Sequence, residues 1–189
     1  MNNLNLHNID FKRLNPYIHV YYISNLHDYL KTFKEEFSNI FSNNPAEIGD
    51  EGVKKNIPFI INKQIEGIYD SILEQYYIVD PTWEVEKHIG LYSQDNKNNI
   101  NLYHSHIPSS ISATMYIDPP LENEGGEIQF YLEGNNQPKI LPQKNCVYFF
   151  PSWLMHRPLP QTSPQNRMCL NWSYTSSNRP LHKLTGDIW

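Results

Sequence analysis

Cysteine is nearly absent from this chain of 189 residues, which contains only Cys146 and Cys169. Two cysteines without a CxxC spacing exclude a disulfide framework, so we expect reduced thiols. Long hydrophobic runs are also missing: no segment approaches the ~20 apolar residues of a membrane helix, and the first 20 residues lack the apolar core of a signal peptide. These absences predict a cytoplasmic protein with no membrane anchor.

Positive charge is scarce as well. The chain has 15 Lys and Arg against 20 Asp and Glu, a formal net charge of −5, and only 19% charged residues. Because non-specific binding to nucleic acid depends on clustered Lys and Arg, this balance argues against nucleic acid as a partner. With 39% hydrophobic residues, the chain has the composition and length of one globular domain with its own core.

Two N-terminal segments have apolar residues at helical spacing. Residues 26–41 repeat them at steps of three and four, which predicts one helix behind a Ser24 or Asn25 cap. A second helix is predicted over residues 65–76, with Asn62 before it as a candidate cap. Both helices are expected to brace a sheet.

After residue 80 the sequence changes to short β-forming runs separated by Pro, Gly, Asn and Asp. These runs are TWEVEKHIGLY, NINLYHSH, SISATMYI, GEIQFYL, NCVYFF and MCLNWSY. Many short strands without helices between them are typical of an antiparallel sandwich or barrel.

Two of the eight histidines stand two residues apart in the run YHSH. Side chains alternate along a strand, so His104 and His106 are predicted to share one face. Imidazoles that converge in this way suit iron, zinc, copper or nickel. Taken alone, however, such a pair is a weak signal, because hydrogen-bonded polar side chains at a strand end are the more common explanation. His156, which follows CVYFFPSWLM, offers a third imidazole. The remaining histidines are interpreted as ordinary surface or core residues: His7, His19, His27, His88 and His182.

A basic residue opens the last of the predicted strands, RMCLNWSY. In this strand Arg167 shares a face with Cys169, Asn171 and Ser173. A guanidinium that points into a barrel is costly unless it meets an anion, and its fork suits a carboxylate. The partner is either a ligand or a Glu or Asp at the edge of the core.

The span from about residue 83 to 174 resembles the iron(II)- and 2-oxoglutarate-dependent oxygenases, especially the prolyl-4-hydroxylase-like group with its small bacterial and phage members. HSH stands where that family has His-x-Asp or His-x-Glu, and MYIDPPLENEGGEIQFYLEG is similar to its strand, Gly-Gly turn and strand. ILPQKNCVYFFPSWLMHRPLP is similar to the stretch that ends in the distal metal histidine, and RMCLNWSY to the strand that holds the cosubstrate.

The resemblance implies a mainly β fold, namely a double-stranded β-helix. This is a jelly-roll or cupin-like barrel with N-terminal helices packed on one sheet. We expect a single domain over residues 1–189. Residues 1–80 would supply helical and strand support, 81–175 the jelly-roll catalytic core, and 176–189 a C-terminal tail.

The resemblance also implies the site residues and the reaction. His104 and His156 correspond to the two iron ligands, and His106 takes the place of the carboxylate ligand. Tyr116 and Arg167 correspond to residues that bind the distal carboxylate of 2-oxoglutarate. Asn171 and Thr114 are further candidates for contact with the cosubstrate. The implied reaction converts 2-oxoglutarate and dioxygen to succinate and carbon dioxide while a substrate is hydroxylated.

His106 departs from the family pattern because it is neutral where a carboxylate is expected. Three interpretations remain open. In the first, which we favour, His106 is a ligand in a three-histidine site like that of some cupin-type dioxygenases. In the second, Glu127 or Asp118 completes the site. In the third, the chain is a non-catalytic jelly-roll module that is structural or binds zinc or nickel.

The substrate is less well defined by the sequence than the site. FFPSWLMHRP predicts an apolar rim around the metal, which would suit a prolyl or other amino-acid side chain of a protein or peptide. A small metabolite would suit it equally. The acidic balance argues against the nucleobase demethylases of the same superfamily.

Overall fold

The computed structural model of the chain describes residues 4–42, 53–55, 59–94, 102–135, 137–162 and 167–188. The larger of its two main sheets, the major sheet, has seven antiparallel strands in the order β1-β2-β9-β6-β11-β5-β3. Their bounds are β1 Ile9–Asn15, β2 Ile18–Ile23, β3 Val53–Lys55, β5 Val85–Gln94, β6 Ile111–Asp118, β9 Cys146–Pro151 and β11 Arg167–Ser176.

The smaller sheet, the minor sheet, has three strands in the order β10-β7-β8. These strands are β7 Ile128–Phe130, β8 Lys139–Ile140 and β10 His156–Pro158. A two-stranded ladder pairs β4 Tyr77–Ile78 with β12 Leu181–His182. The helices are α1 Leu26–Lys31, α2 Lys34–Ser42 and α3 Phe59–Tyr76, and a single 3-10 turn covers Glu133–Asn135. The mainly β architecture predicted from the sequence is therefore confirmed.

The two faces of the major sheet bury different kinds of side chain. The outer face packs on the helices, where the ring of Tyr69 in α3 stacks on Trp172 at a centroid distance of 5.1 Å. The Tyr69 hydroxyl also donates to the carbonyl of Leu170 at 2.8 Å. Aromatic pairs of this kind contribute about 0.5–1.5 kcal/mol beyond their buried area. The inner face meets the minor sheet through a second apolar cluster that includes Tyr116, Phe130 and Phe150.

The predicted single helix over residues 26–41 is wrong, because the chain forms two helices there. The N–H groups of Thr32 and Phe33 bond the carbonyls three residues earlier, and the Thr32 hydroxyl donates to the Tyr29 carbonyl at 2.7 Å. These tight bonds end α1. The apolar face continues across the break between the helices, because the rings of Phe33 and Phe37 are in contact at a centroid distance of 6.0 Å. Asn25 precedes α1 in a left-handed conformation, and its side chain makes no capping hydrogen bond.

Two further local predictions also need correction. Helix α3 begins at Phe59, so Asn62 lies inside it rather than before it, and buried Ile61 extends the apolar face by a further turn. In the described part of NINLYHSH, residues 102–106 form no regular strand. His104 makes a single β-bridge, and the chain then turns, with the N–H of Ser109 donating to the His106 carbonyl at 2.9 Å. Pro108 interrupts any ladder at this point because it has no N–H.

No helix in the described ranges is long and apolar enough to cross a lipid bilayer.

A buried network of histidines and tyrosines joins the N-terminal strands to the β4–β12 ladder. His19 Nδ1 lies 3.2 Å from the Tyr77 hydroxyl, and His182 Nε2 lies 2.8 Å from the Tyr21 hydroxyl. The Tyr21 hydroxyl in turn donates to that of Tyr77 at 3.1 Å. Burial is the main cause that lowers the pKa of His19 to about 3 and that of His182 to about 4. At the edge of the network, Asp187 pairs with Arg13 at 3.2 Å.

We expect this network to make the free energy of unfolding depend on pH. Both histidines are neutral when folded, so their stabilisation is complete above their unfolded pKa of about 6.5 and is lost as the pH falls towards 4 and 3. The loss is at most about 1.4 kcal/mol per pH unit for each histidine. Urea unfolding at pH 7 and pH 5 measures it. His182→Gln should flatten the dependence, and exposed His88→Gln should not; equal slopes for the parent and His182→Gln would contradict the assignment.

Candidate metal and cosubstrate site

Three histidines converge where the major and minor sheets meet. His104 and His156 form an isolated antiparallel bridge in which each N–H donates to the other carbonyl at 3.0 Å. His106 is held by a bond from its N–H to the Ser152 carbonyl at 2.7 Å. One ligand nitrogen from each of the three rings lies within 4.8 Å of the other two. The chain therefore brings together all three histidines that the sequence proposes as ligands.

Hydrogen bonds to the backbone fix the tautomers of two of the rings. Nδ1 of His104 lies 3.2 Å from the Leu102 carbonyl, and Nδ1 of His156 lies 3.0 Å from the Leu154 carbonyl. A carbonyl only accepts, so each Nδ1 carries the proton and each Nε2 has a lone pair that a metal could use. Without a metal, the His156 lone pair can accept a hydrogen bond from His106 Nε2, 3.3 Å away.

The spacing of the nitrogens also fits a shared ion. His106 Nε2 lies 3.3 Å from His156 Nε2, the separation expected of two nitrogens that are each about 2.1 Å from one metal. Imidazole nitrogens suit iron and zinc alike. The donor set therefore fits a divalent transition metal, and the nitrogens alone do not select which one.

Apolar packing keeps His156 neutral. The ring lies against Phe150, at a centroid distance of 4.7 Å, and against Phe130, at 5.7 Å. Burial, reinforced by the neighbouring His104 and His106, holds the pKa of His156 well below its usual value. Phe150 also lines the cavity in front of the rings, whereas Trp153 and Met155 are exposed. The apolar surface around the site thus comes partly from FFPSWLMHRP and partly from β7.

Neither candidate carboxylate joins the histidine cluster within the described part of the chain. Asp118 pairs instead with Lys34 at 2.9 Å. Glu127 follows the Gly-Gly turn, and its carbonyl accepts from the N–H of Leu159 at 2.8 Å. Of the candidate third ligands, His106 is the one whose ligand atom lies in the cluster with His104 and His156 in the described residues.

A set of three variants tests this choice of third ligand. His106→Ala should weaken metal binding by roughly 10- to 100-fold or more, because even the loss of a group that hydrogen-bonds a metal ligand lowers metal affinity by that much. Asp118→Asn and Glu127→Gln should leave metal affinity unchanged, and loss of the half-exposed Lys34 pair should cost at most about 1 kcal/mol of stability. Calorimetric titration with Fe(II) under nitrogen measures all three. Strong loss in either carboxylate variant would contradict a three-histidine site.

Arg167 and Tyr116 lie in the same cavity as the histidines. The side chain of Arg167 is 2% exposed, and its Nη1 donates to the Gly126 carbonyl. Gly126 has a φ of +81°, and a Cβ there would lie 2.8 Å from that of Pro120. Only glycine therefore allows the turn that delivers this carbonyl to the guanidinium.

Tyr116 is a hydrogen-bond donor at neutral pH. Burial raises the pKa of its hydroxyl, against the opposing effect of the nearby Arg167 charge. Cys169 pairs with Tyr116 across the β6–β11 ladder, and burial raises the pKa of its thiol to about 11. The inner wall of the cavity thus presents one permanent cation and one phenol, which together suit a carboxylate.

Thr114 and Asn171 form the next layer of the same wall. They are partners across the β6–β11 ladder, and the Thr114 hydroxyl donates to Asn171 Oδ1 at 2.7 Å. This bond uses the amide oxygen of Asn171, so its amide nitrogen is the group that can donate to a ligand. Both residues line the cavity, which encloses about 120 Å³.

Strand β5 contributes cavity residues that the sequence analysis missed. His88, Gly90 and Tyr92 line the cavity, as does Ser112 of β6. The alternation of β5 could have revealed the first three, because they share one face of a predicted strand. His88 is exposed and its Nε2 lies 3.0 Å from a Glu86 carboxylate oxygen, so the interpretation as an ordinary surface residue overlooked its place at the cavity mouth.

Comparisons by sequence return nothing: no protein-family model matches the chain, and no curated protein matches it. Comparison with solved structures does find similar folds. A Pseudomonas putida prolyl-4-hydroxylase aligns at a TM-score of 0.55 and 14% identity, covering 79% of this chain and 86% of that one. A Phytophthora capsici prolyl 4-hydroxylase aligns at 0.62 and 15%, covering 85% and 59%.

A non-heme alpha-ketoglutarate-dependent carbocyclase from nogalamycin biosynthesis aligns at a TM-score of 0.60 and 11% identity, covering 87% of this chain and 81% of that one. At such low identities these likenesses concern the fold. The predicted jelly roll with supporting N-terminal helices is confirmed, and the chain has the double-stranded β-helix fold of the 2-oxoglutarate-dependent iron oxygenases.

Proposed function

We propose that the protein is an Fe(II)- and 2-oxoglutarate-dependent dioxygenase. The observation that carries this proposal is the placement of three converging imidazoles, a buried arginine and a tyrosine hydroxyl in one cavity of this fold. His104, His106 and His156 would hold the iron. When bound, the iron would supply the dioxygen chemistry that couples decarboxylation of 2-oxoglutarate to hydroxylation of a substrate.

The cosubstrate would be bound by residues of β6 and β11. Arg167 and Tyr116 would donate to its distal carboxylate, since one supplies a fixed positive charge and the other a protonated hydroxyl. Asn171, with Thr114 behind it, would donate to a second oxygen of the bound molecule. The neutral ligand set leaves the charge of a divalent ion unreduced, which favours an anionic cosubstrate at this site.

The proposed substrate is a prolyl or other amino-acid side chain of a protein or peptide. Two of the similar structures are prolyl hydroxylases, and a further one, from Trichoplax adhaerens with a TM-score of 0.52, is a prolyl hydroxylase in complex with a peptide fragment. Phe150 supplies an apolar wall beside the proposed metal site. We propose a cytoplasmic location, consistent with the two free thiols, and a catalytic core within residues 81–175.

The three-histidine set favours one alternative, a cupin-type dioxygenase that does not use 2-oxoglutarate. An assay of succinate release separates the two. The protein, reconstituted with Fe(II), is incubated in air with 2-oxoglutarate and ascorbate, with and without proline-containing peptides. The proposal predicts slow succinate release that depends on Fe(II) and rises with a true substrate. No succinate from protein that retains iron would overturn it and favour the cupin-type enzyme or a non-catalytic metal-binding module.

A further inference from the structure

Four side chains form a closed ring of contacts on the outer side of the minor sheet. Arg157 Nε donates to Gln129 Oε1 at 2.9 Å, and Gln129 Nε2 donates to Gln137 Oε1 at 3.0 Å. The Tyr103 hydroxyl donates to the same Gln137 oxygen at 3.1 Å. The Arg157 guanidinium lies 4.5 Å from the centroid of the Tyr103 ring, which closes the circuit. We refer to these four residues as the outer clamp.

Two members of the outer clamp are chain neighbours of metal-ligand candidates. Tyr103 directly precedes His104, and Arg157 directly follows His156. Adjacent side chains of an extended chain point to opposite sides, so the histidines face the cavity while Tyr103 and Arg157 meet outside. The outer clamp therefore spans the same pair of segments that the metal would join from within.

The segment that carries His104 is held by few backbone hydrogen bonds. Within residues 102–106 there are four: two in the β-bridge to His156, one from the His106 N–H to the Ser152 carbonyl, and one from the Ser109 N–H to the His106 carbonyl. The net contribution of one such bond is no larger than the conformational entropy lost when one residue is fixed. Four bonds therefore do not outweigh the ordering of five residues, and the contacts of Tyr103 add a further restraint.

We propose that the outer clamp holds His104 and His156 at metal-binding separation, with Tyr103 and Arg157 acting as positioning residues. This inference rests on the proposed function only for the identity of the metal site, and it concerns the affinity of that site rather than turnover. Neither Tyr103 nor Arg157 lines the cavity that the three histidines share. Because their contacts already restrain His104, its segment loses less conformational entropy when a metal binds.

Cobalt(II) titration of the metal-free protein tests the outer clamp. Tyr103→Ala and Arg157→Gln should each weaken Co(II) binding by about tenfold, the lower end of the effect of removing groups that orient metal ligands. Tyr103→Phe keeps the ring under the guanidinium and should stay within about threefold of the parent. The double variant Tyr103→Ala/Arg157→Gln should bind little worse than either single variant, because either substitution alone already removes the contact between the Tyr103 ring and the Arg157 guanidinium.

Tyr22→Ala is the matched control, since Tyr22 is an exposed tyrosine on β2 that lines a different cavity from His104, His106 and His156. Its Co(II) affinity should equal that of the parent. The metal-free Tyr103→Ala protein should still unfold in one cooperative transition; if it does not fold, Tyr103→Leu, which keeps most of the side-chain volume without the cation–π contact, replaces it. Co(II) affinities of Tyr103→Ala and Arg157→Gln within about twofold of the parent would overturn the proposal.

The two proposals fail in different ways. A parent protein that binds Co(II) but releases no succinate with Fe(II) would overturn the oxygenase assignment and leave the comparison of clamp variants intact. Succinate release by the parent, together with unchanged Co(II) affinity in Tyr103→Ala, would overturn the outer clamp alone.

Discussion

Replacing His156 with alanine is expected to abolish Fe(II) retention while the two sheets stay folded. The variant removes one of three converging nitrogens. We expect metal affinity to fall by more than about 100-fold, because removing a group that only hydrogen-bonds a metal ligand already lowers it by up to that amount. The fold should survive because the bridge between His104 and residue 156 uses backbone groups only. The truncation should lower the free energy of unfolding by about 1–3 kcal/mol, through lost packing on Phe130 and Phe150 and an unpaired Leu154 carbonyl.

Two companion variants separate ligation from packing. His156→Gln keeps most of the volume and a polar end, so it should restore much of the stability but not the metal affinity. His88→Ala removes an exposed histidine at the cavity mouth and should change neither quantity. Calorimetric titration with Fe(II) measures the metal affinity, and thermal unfolding of the metal-free proteins measures the stability. Undiminished Fe(II) binding in His156→Ala, or global unfolding of both His156 variants, would contradict a role as a metal ligand.

Arg167→Met should abolish binding of 2-oxoglutarate at concentrations that saturate the parent. Loss of one partner from a buried charge pair costs about 2–5 kcal/mol, or about 300-fold in affinity near the middle of that range. Methionine keeps the buried stem filled, and the Gly126 carbonyl loses its donor at a cost of about 1–3 kcal/mol in stability. Fe(II) affinity should remain, because the guanidinium is not a ligand.

A surface arginine provides the control for Arg167→Met. Arg179 is exposed, so Arg179→Met removes the same charge without touching the cavity. Calorimetric titration of the Fe(II)-loaded proteins with 2-oxoglutarate under nitrogen should give equal dissociation constants for the parent and Arg179→Met. Equal constants for the parent and Arg167→Met would mean that the distal carboxylate is bound elsewhere.

Strand alternation explains why much of the fold could be predicted from the sequence. In β6 and β11 every second residue packs on the helices, as Met115 and Leu170 do, while Tyr116 and Arg167 face the cavity. This pattern is local and follows from the geometry of any strand. An antiparallel sandwich or barrel could therefore be predicted from the strands themselves, whereas the jelly roll was implied by the resemblance to the iron(II)- and 2-oxoglutarate-dependent oxygenases.

Features that depend on contacts between distant segments could not be predicted in the same way. The sequence predicts a regular strand through His104, but this residue makes one bridge to a partner 52 positions away, and its segment is fixed by tertiary contacts. The break between α1 and α2 occurs inside an uninterrupted apolar repeat, which periodicity cannot detect. The outer clamp of Tyr103, Gln137, Gln129 and Arg157 likewise follows no recurring spacing in the sequence, so no periodic pattern predicts it.

One measurement tests the central claim, that these histidines hold an iron to which 2-oxoglutarate binds. The metal-free protein is loaded with Fe(II) under nitrogen and titrated with 2-oxoglutarate while the visible absorption is recorded. We expect a weak charge-transfer band that saturates at one equivalent, is absent in His156→Ala, and requires far more 2-oxoglutarate in Arg167→Met. Iron that binds without producing any such band would contradict it.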